Sequence, residues 1–130
     1  MSCRGWQRDP KKAGGVPQWC FSKGFDRFAP LGPMIVSPAV VGNASDLHLR
    51  TLVNGEERQN TMTSDLLFGV EDIVSFVSQG TTIEAGTVIL TGTPSGVAMG
   101  MKEPKYLVDG DVVEVSISQL GRVRNKMVFE

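Results

Sequence analysis

LHLRTLVNGEERQNTM, residues 47–62, decides the fold. Leu47, Leu49, Thr51 and Val53 alternate with His48, Arg50 and Asn54, so an extended segment has one apolar side and one polar side. Asn54-Gly55 follows. Both residues tolerate positive φ, which a two-residue turn between antiparallel strands requires. Glu56–Met62 is then the returning strand, and the stretch reads as a β-hairpin with one buried face.

The same period of two recurs toward the C-terminus. Asp111–Ser118 and Arg122–Phe129 alternate on either side of Leu120-Gly121, which predicts a second hairpin entered from a turn at Asp109-Gly110-Asp111. Val88–Leu90 reads as a buried strand running into Thr91-Gly92-Thr93-Pro94-Ser95-Gly96. Met34-Ile35-Val36, bounded by prolines, reads as a short strand whose pairing those prolines limit. One stretch switches to the helical period. Leu66, Leu67, Val70, Ile73, Val74 and Val77 form a single apolar stripe, with Thr63 or Ser64 as cap, Asp65 at the positive end and Gly80 as terminator. Met1–Pro17 is polar and reads as loop with a helical turn near Trp6–Lys11. Trp19, Phe21, Phe25 and Phe28 read as anchors for a loop. The fold class is mainly β with one substantial helix, an α+β domain.

Bulk properties bound the function. The chain has 130 residues, thirteen Lys and Arg, fourteen Asp and Glu, and a formal charge of −1. Its length predicts one domain over 1–130. Near-neutral charge argues against a nucleic-acid binder. No apolar run approaches the roughly 20 residues of a membrane span, and Met1–Lys12 is too polar for a secretory signal. Cys3 and Cys20 match no metal or CxxC spacing. They read as free thiols in a reducing compartment, with a Cys3–Cys20 disulfide as the minor alternative. Fifteen glycines and seven prolines, spread throughout, imply many turns.

Few residues carry chemistry on their own. Thr91–Gly96 offers hydroxyls and backbone N–H groups to an anion, but lacks the Lys-Ser/Thr of a P-loop. On composition alone a tight structural turn is the favoured reading. Lys23, flanked by aromatics, could present a charge to an anionic substrate, but on local sequence alone a snorkelling surface lysine is the favoured reading. His48, the one histidine, reads as an exposed strand residue, and no G-x-S-x-G elbow exists to pair with it. Glu56-Glu57, Glu71-Asp72 and Asp109/Asp111 form no metal-ligand pattern.

A longer pattern goes further. Gly-Val-Pro-Gln-Trp-Cys-Phe-Ser-Lys-Gly-Phe-Asp (15–26), Gly32-Pro33, Val53–Gln59, Ile89–Val97 and Asp109-Gly110-Asp111 occur in this order. Together they resemble the fumarylacetoacetate hydrolase family, from Ser2 to Glu130. The resemblance implies part of a mixed β-roll or sandwich, and usually a homodimer. It implies an Mg²⁺- or Mn²⁺-dependent enzyme that cleaves a C–C bond in a β-diketo or 2-oxo acid, in the manner of acylpyruvate hydrolases or oxaloacetate decarboxylases. It implies roles for five residues. Lys23 neutralises substrate charge, Thr93 contacts the substrate carboxylate, Gly92 lets the backbone approach, and Arg4 and Gln7 face the ligand.

The same resemblance implies that this is an N-terminally truncated catalytic domain. The family's metal-ligand aspartate falls before Met1, and its Glu-x-Glu and His-x-x-Glu groups fall further upstream. Gly5 also replaces a family aspartate, and Cys3 a family alanine. These residues alone are therefore expected to hold no metal and to show very low activity. The alternative expectation is a non-catalytic protein of this fold that binds a small anion or associates with a full-length relative. The expected compartment is intracellular, cytoplasmic or mitochondrial.

Overall fold

The computed structural model describes residues 1–129. Its contacts divide the chain into two units, Met1–Gly32 and the residues from Pro33 onward.

The first unit holds three short helices, α1 (Arg4–Arg8), α2 (Pro10–Ala13) and α3 (Trp19–Lys23). The helical turn read near Trp6–Lys11 is present and extends to both sides. Asp9 ends α1 and caps α2: its carboxylate accepts from the Lys11 N–H at 2.9 Å, and Pro10 occupies the first helical position. Helices of four or five residues do not hold in water alone. Here the Cys3 N–H donates to the Ser22 carbonyl at 2.8 Å and the Gln18 N–H to the Gln7 carbonyl at 3.1 Å. The aromatics complete the unit by stacking on one another. Ring centroids lie 5.1 Å apart for Trp6–Phe21, 5.5 Å for Phe21–Phe25 and 5.2 Å for Phe25–Phe28. Trp19, half-exposed, stays outside that cluster with the Lys23 ammonium 6.0 Å from its ring centre. Both cysteines are free thiols.

The second unit opens on α4 (Pro38–Val41), capped by Ser37 and closed by Gly42 at a φ of 70°. An antiparallel sheet of four strands follows, in the order β2-β1-β3-β4. The strands are β1 (His48–Val53), β2 (Glu56–Met62), β3 (Val112–Ile117) and β4 (Gly121–Lys126). Both hairpins stand where the alternation put them. Asn54 and Gly55 have φ values of 52° and 83°, as their turn demands. Leu49, Thr51 and Val53 pair with Ile117, Val115 and Val113, which makes one apolar face across the central strands. The hairpins are also tied at their ends. The Asn54 side chain donates to the Asp111 carboxylate at 2.7 Å and accepts from the Val112 N–H at 2.8 Å. The other Asp111 oxygen accepts from the Val108 N–H at 2.8 Å.

Three local expectations are corrected. The helix is only α5 (Val70–Val77). Thr63–Asp65 forms a single 3-10 turn, Leu66 is extended at ψ 128°, and a fresh helix starts at Gly69. The Asp72 carboxylate accepts from the Gly69 N–H at 3.2 Å. Glycine's weak helix propensity, combined with a partner for its N–H three residues on, explains the restart. The helix ends at Ser78 rather than at Gly80. Met34–Val36 joins no ladder among the described residues, with Ile35 fully exposed between Pro33 and Pro38. Val88–Leu90 likewise joins no ladder among the described residues. Val88 is 56% and Leu90 68% exposed, so neither is buried. Val77, Ile83, Val88 and Leu90 line a shallow trough of about 420 Å³. No described helix is long and apolar enough to cross a membrane.

Candidate functional site

In the second unit, an irregularity in the first hairpin positions the Thr91–Gly96 loop. Pairing runs Val53↔Glu56, Leu52↔Glu57, then Thr51↔Gln59, so Arg58 is an extra residue without a partner across the ladder. Such a bulge re-aims the side chains beyond it. Gln59 consequently shares a face with buried Thr51, whose hydroxyl donates to Gln59 Oε1 at 2.9 Å. Gln59 Nε2 donates to Thr93 Oγ1 at 2.9 Å and to the Pro94 and Ser95 carbonyls, each at 3.3 Å. The loop lies directly on the bulge. Gly96 has a φ of 94°, and a Cβ there would collide with the Arg58 carbonyl. Gly92, at a φ of 123°, has open space beside it. Thr93 is exposed.

In the first unit, Arg4 and Gln7 meet on α1. Arg4 Nη1 donates to Gln7 Oε1 at 2.5 Å. Arginine has no acceptor, so this bond fixes the amide's orientation and leaves both Nε2 protons on the far side. Gln7 is completely buried, and its Nε2 has no partner among the described residues. A buried donor left unpaired costs about 1–3 kcal/mol. Lys23, at the end of α3, is exposed and donates from Nζ to Ser2 Oγ at 2.7 Å.

The structure therefore sorts the sequence-derived site residues into two sets, Arg4, Gln7 and Lys23 in one unit and Gly92 and Thr93 in the other. Gln59 was missed. Its motif is plain in the sequence, but its role depends on the bulge, which no single-strand alternation reveals.

The remaining polar groups have structural work. His48 is exposed and its Nε2 meets Asn60 Oδ1 at 2.5 Å. Hydrogen bonds from Asn60 and then Arg50 hold the Glu57 carboxyl below its usual range. The Val108 N–H, then the Asn54 amide, do the same for Asp111. Glu56 pairs with Lys105 at 3.1 Å and Arg58 at 3.5 Å. Among the described residues no three His, Cys, Asp or Glu side chains converge into a metal site. Within the first unit, Arg4, Lys23 and the Gln7 amide form a set rich in donors. That set suits anionic oxygens and does not by itself fit a hard divalent cation, which needs anionic or carbonyl oxygens.

The chain as a whole has known relatives. The family model for the fumarylacetoacetate hydrolase C-terminal domain matches residues 1–128. The chain belongs to the fumarylacetoacetate hydrolase family. It is 40% identical over 128 residues to the mitochondrial oxaloacetate tautomerase Fahd2a of Rattus norvegicus, across 98% of this chain and 39% of that protein. The chain thus spans about two-fifths of the length of this family relative. The fumarylacetoacetate hydrolase of psychrophilic Exiguobacterium antarcticum superposes with a TM-score of 0.88 at 41% identity, over 99% of this chain and 44% of the other. The maleylpyruvate hydrolase of Sphingobium sp. SYK-6, solved with manganese(II) and pyruvate, superposes at 0.74 with 32% identity, over 83% and 38%. The α+β architecture read from the sequence is that of this family.

Proposed function

We propose that this chain supplies the anion-gripping part of an enzyme that acts on a small 2-oxo or β-diketo acid, with oxaloacetate as the leading substrate. The observation that carries the reading is the fully buried Gln7 amide, whose donors are unpaired beside Arg4. A ligand oxygen would satisfy those donors once the side chains that cover Gln7 give way to it. Tautomerisation, decarboxylation and hydrolysis of such acids all build negative charge on the 2-oxo oxygen. Fixed donors that meet that charge lower the barrier. In this reading, within the first unit Arg4 and Gln7 hold ligand oxygens and the Lys23 ammonium offsets charge; within the second, Thr93 donates to an anionic oxygen beside the open backbone of Gly92. A bound Mg²⁺ or Mn²⁺ would polarise the oxo group. The donors of neither unit fit such a cation, and these residues alone are proposed to bind without appreciable turnover. The relative's mitochondrial designation supports the same compartment.

A second reading is a non-catalytic anion-binding protein that associates with another chain of the family. The exposed Val88 and Leu90 beside the apolar trough favour association, including the homodimer.

Calorimetric titration with oxalate, an enolate mimic, tests the first reading through Gln7→Leu. Oxalate affinity should fall roughly tenfold to a hundredfold, the value of a hydrogen bond to a charged group. The urea midpoint should hold or rise, because a leucine replaces unpaired donors. Unchanged affinity with a lowered midpoint would make Gln7 purely structural.

A further inference from the structure

We infer that Gln59 is the positioning residue that aims the Thr93 hydroxyl proton outward, toward a ligand oxygen. The inference rests on the role proposed for Thr93 above. It starts from the orientation of the Gln59 amide, which its partners decide. The Pro94 and Ser95 carbonyls only accept, so the group facing them at 3.3 Å must be the NH₂. The opposite end, Oε1, then takes the proton of the buried Thr51 hydroxyl.

The two N–H bonds of Gln59 have separate destinations. One reaches Thr93 Oγ1 at 2.9 Å, and the other is shared by the two carbonyls. A hydroxyl whose lone pair is occupied by a donor must send its own proton elsewhere. Thr93 is exposed, so the proton points to where an anionic oxygen can arrive. Without Gln59 the hydroxyl could donate to a neighbouring carbonyl and would offer the ligand a lone pair instead. The bulge at Arg58 is what brings Gln59, rather than its neighbour, opposite Thr51. The ladder irregularity, the buried Thr51 hydroxyl and the loop thus form one relay that fixes a single proton.

The test uses Gln59→Glu, which keeps the shape and reverses the polarity. A carboxylate would take the Thr93 proton and face two carbonyl oxygens. Thr51→Val, which lets the amide rotate, guards against misfolding of the first variant, and Thr51→Ser should restore the wild-type state. The first readout is ¹⁵N relaxation of Thr93, Ser95 and Gly96 in the ligand-free chain. Order parameters should fall from about 0.85 to below about 0.6 in Gln59→Glu and Thr51→Val. The second is oxalate titration of the same samples, where affinity should drop roughly tenfold or more in both variants and recover in Thr51→Ser. An ordered loop with unchanged affinity in both variants overturns the proposal. So does oxalate binding that is equal in wild type and Gln59→Glu, and that result leaves the oxo-acid reading standing. A loosened loop in a chain whose wild type takes no oxalate upholds the clamp and removes the oxo-acid reading instead.

Discussion

The hairpin sheet and the aromatic helix cluster hold their polar groups in opposite ways. In the sheet unit, Thr51, Gln59, Thr93 and the carbonyls of the loop are joined end to end, and Asn54, Asp111 and Val108 make a second closed set. In the helix unit, α1 and α3 are short and are kept in place by rings about five ångströms apart and two backbone bonds. There the Gln7 amide is buried with donors unspent. Satisfied networks are rigid and leave few groups for a ligand, here the outward proton of Thr93. An unsatisfied buried group is destabilising until something binds it, which makes it the place where binding energy is gained.

The difference can be attacked at the rings first. Phe25 touches Trp6, Phe21 and Phe28. Phe25→Ala should remove about 3 kcal/mol or less from the helix unit, at or below the low end for a buried phenylalanine because the ring is partly exposed. Hydrogen exchange should then accelerate in residues 3–23 while β1 and β3 keep their protection. Equal acceleration in the sheet would show that the two networks are energetically one.

A smaller effect is expected where the loop rests on the bulge. Gly96→Ala adds a Cβ against the Arg58 carbonyl at a positive φ, which should cost about 2 kcal/mol and lift the loop off Gln59. The Gln59 side-chain NH₂ signals should then move toward free-glutamine positions in a ¹H–¹⁵N spectrum. Unmoved signals would mean the clamp does not need the close approach.

The smallest effect is acid sensitivity, carried by two carboxyls that both lie in the sheet unit. The folded-state carboxyls of Asp111 and Glu57 lie below their unfolded values. Their stabilising contribution is complete above the unfolded range near pH 4 and is lost as pH falls through the folded values. The urea midpoint of the sheet should therefore decline on acidification, and Asp111→Asn should flatten that decline. The rings of the helix unit contain no titrating group and should lose nothing through this route.

What the sequence disclosed follows the range of the interactions. The hairpin at Asn54-Gly55 is legible because strand alternation and turn chemistry are both local. The helix was drawn too long because Leu66 and Leu67 continue the stripe of Val70–Val77, while the restart at Gly69 turns on one bond to Asp72. Val88–Leu90 looked buried because apolar runs usually are, but burial needs a partner surface that spacing does not supply. For the site, Arg4, Gln7, Lys23, Gly92 and Thr93 came from the motif resemblance rather than from their local chemistry. Gln59 escaped because an unbroken two-residue hairpin would oppose Thr51 with Arg58, and only the bulge substitutes Gln59.

That extra residue separates two jobs. Between Gly55 and Gln59 the returning strand carries three residues where regular pairing needs two. A strand one residue shorter would set Gln59 opposite Thr51 with no bulge at all, whereas a further insertion would need a second one. The amide is thus compatible with either length. What the longer strand adds is the Arg58 carbonyl, which leaves no room for a Cβ at position 96. The bulge is therefore the seat of the loop, and glycine at 96 is the residue that seat demands.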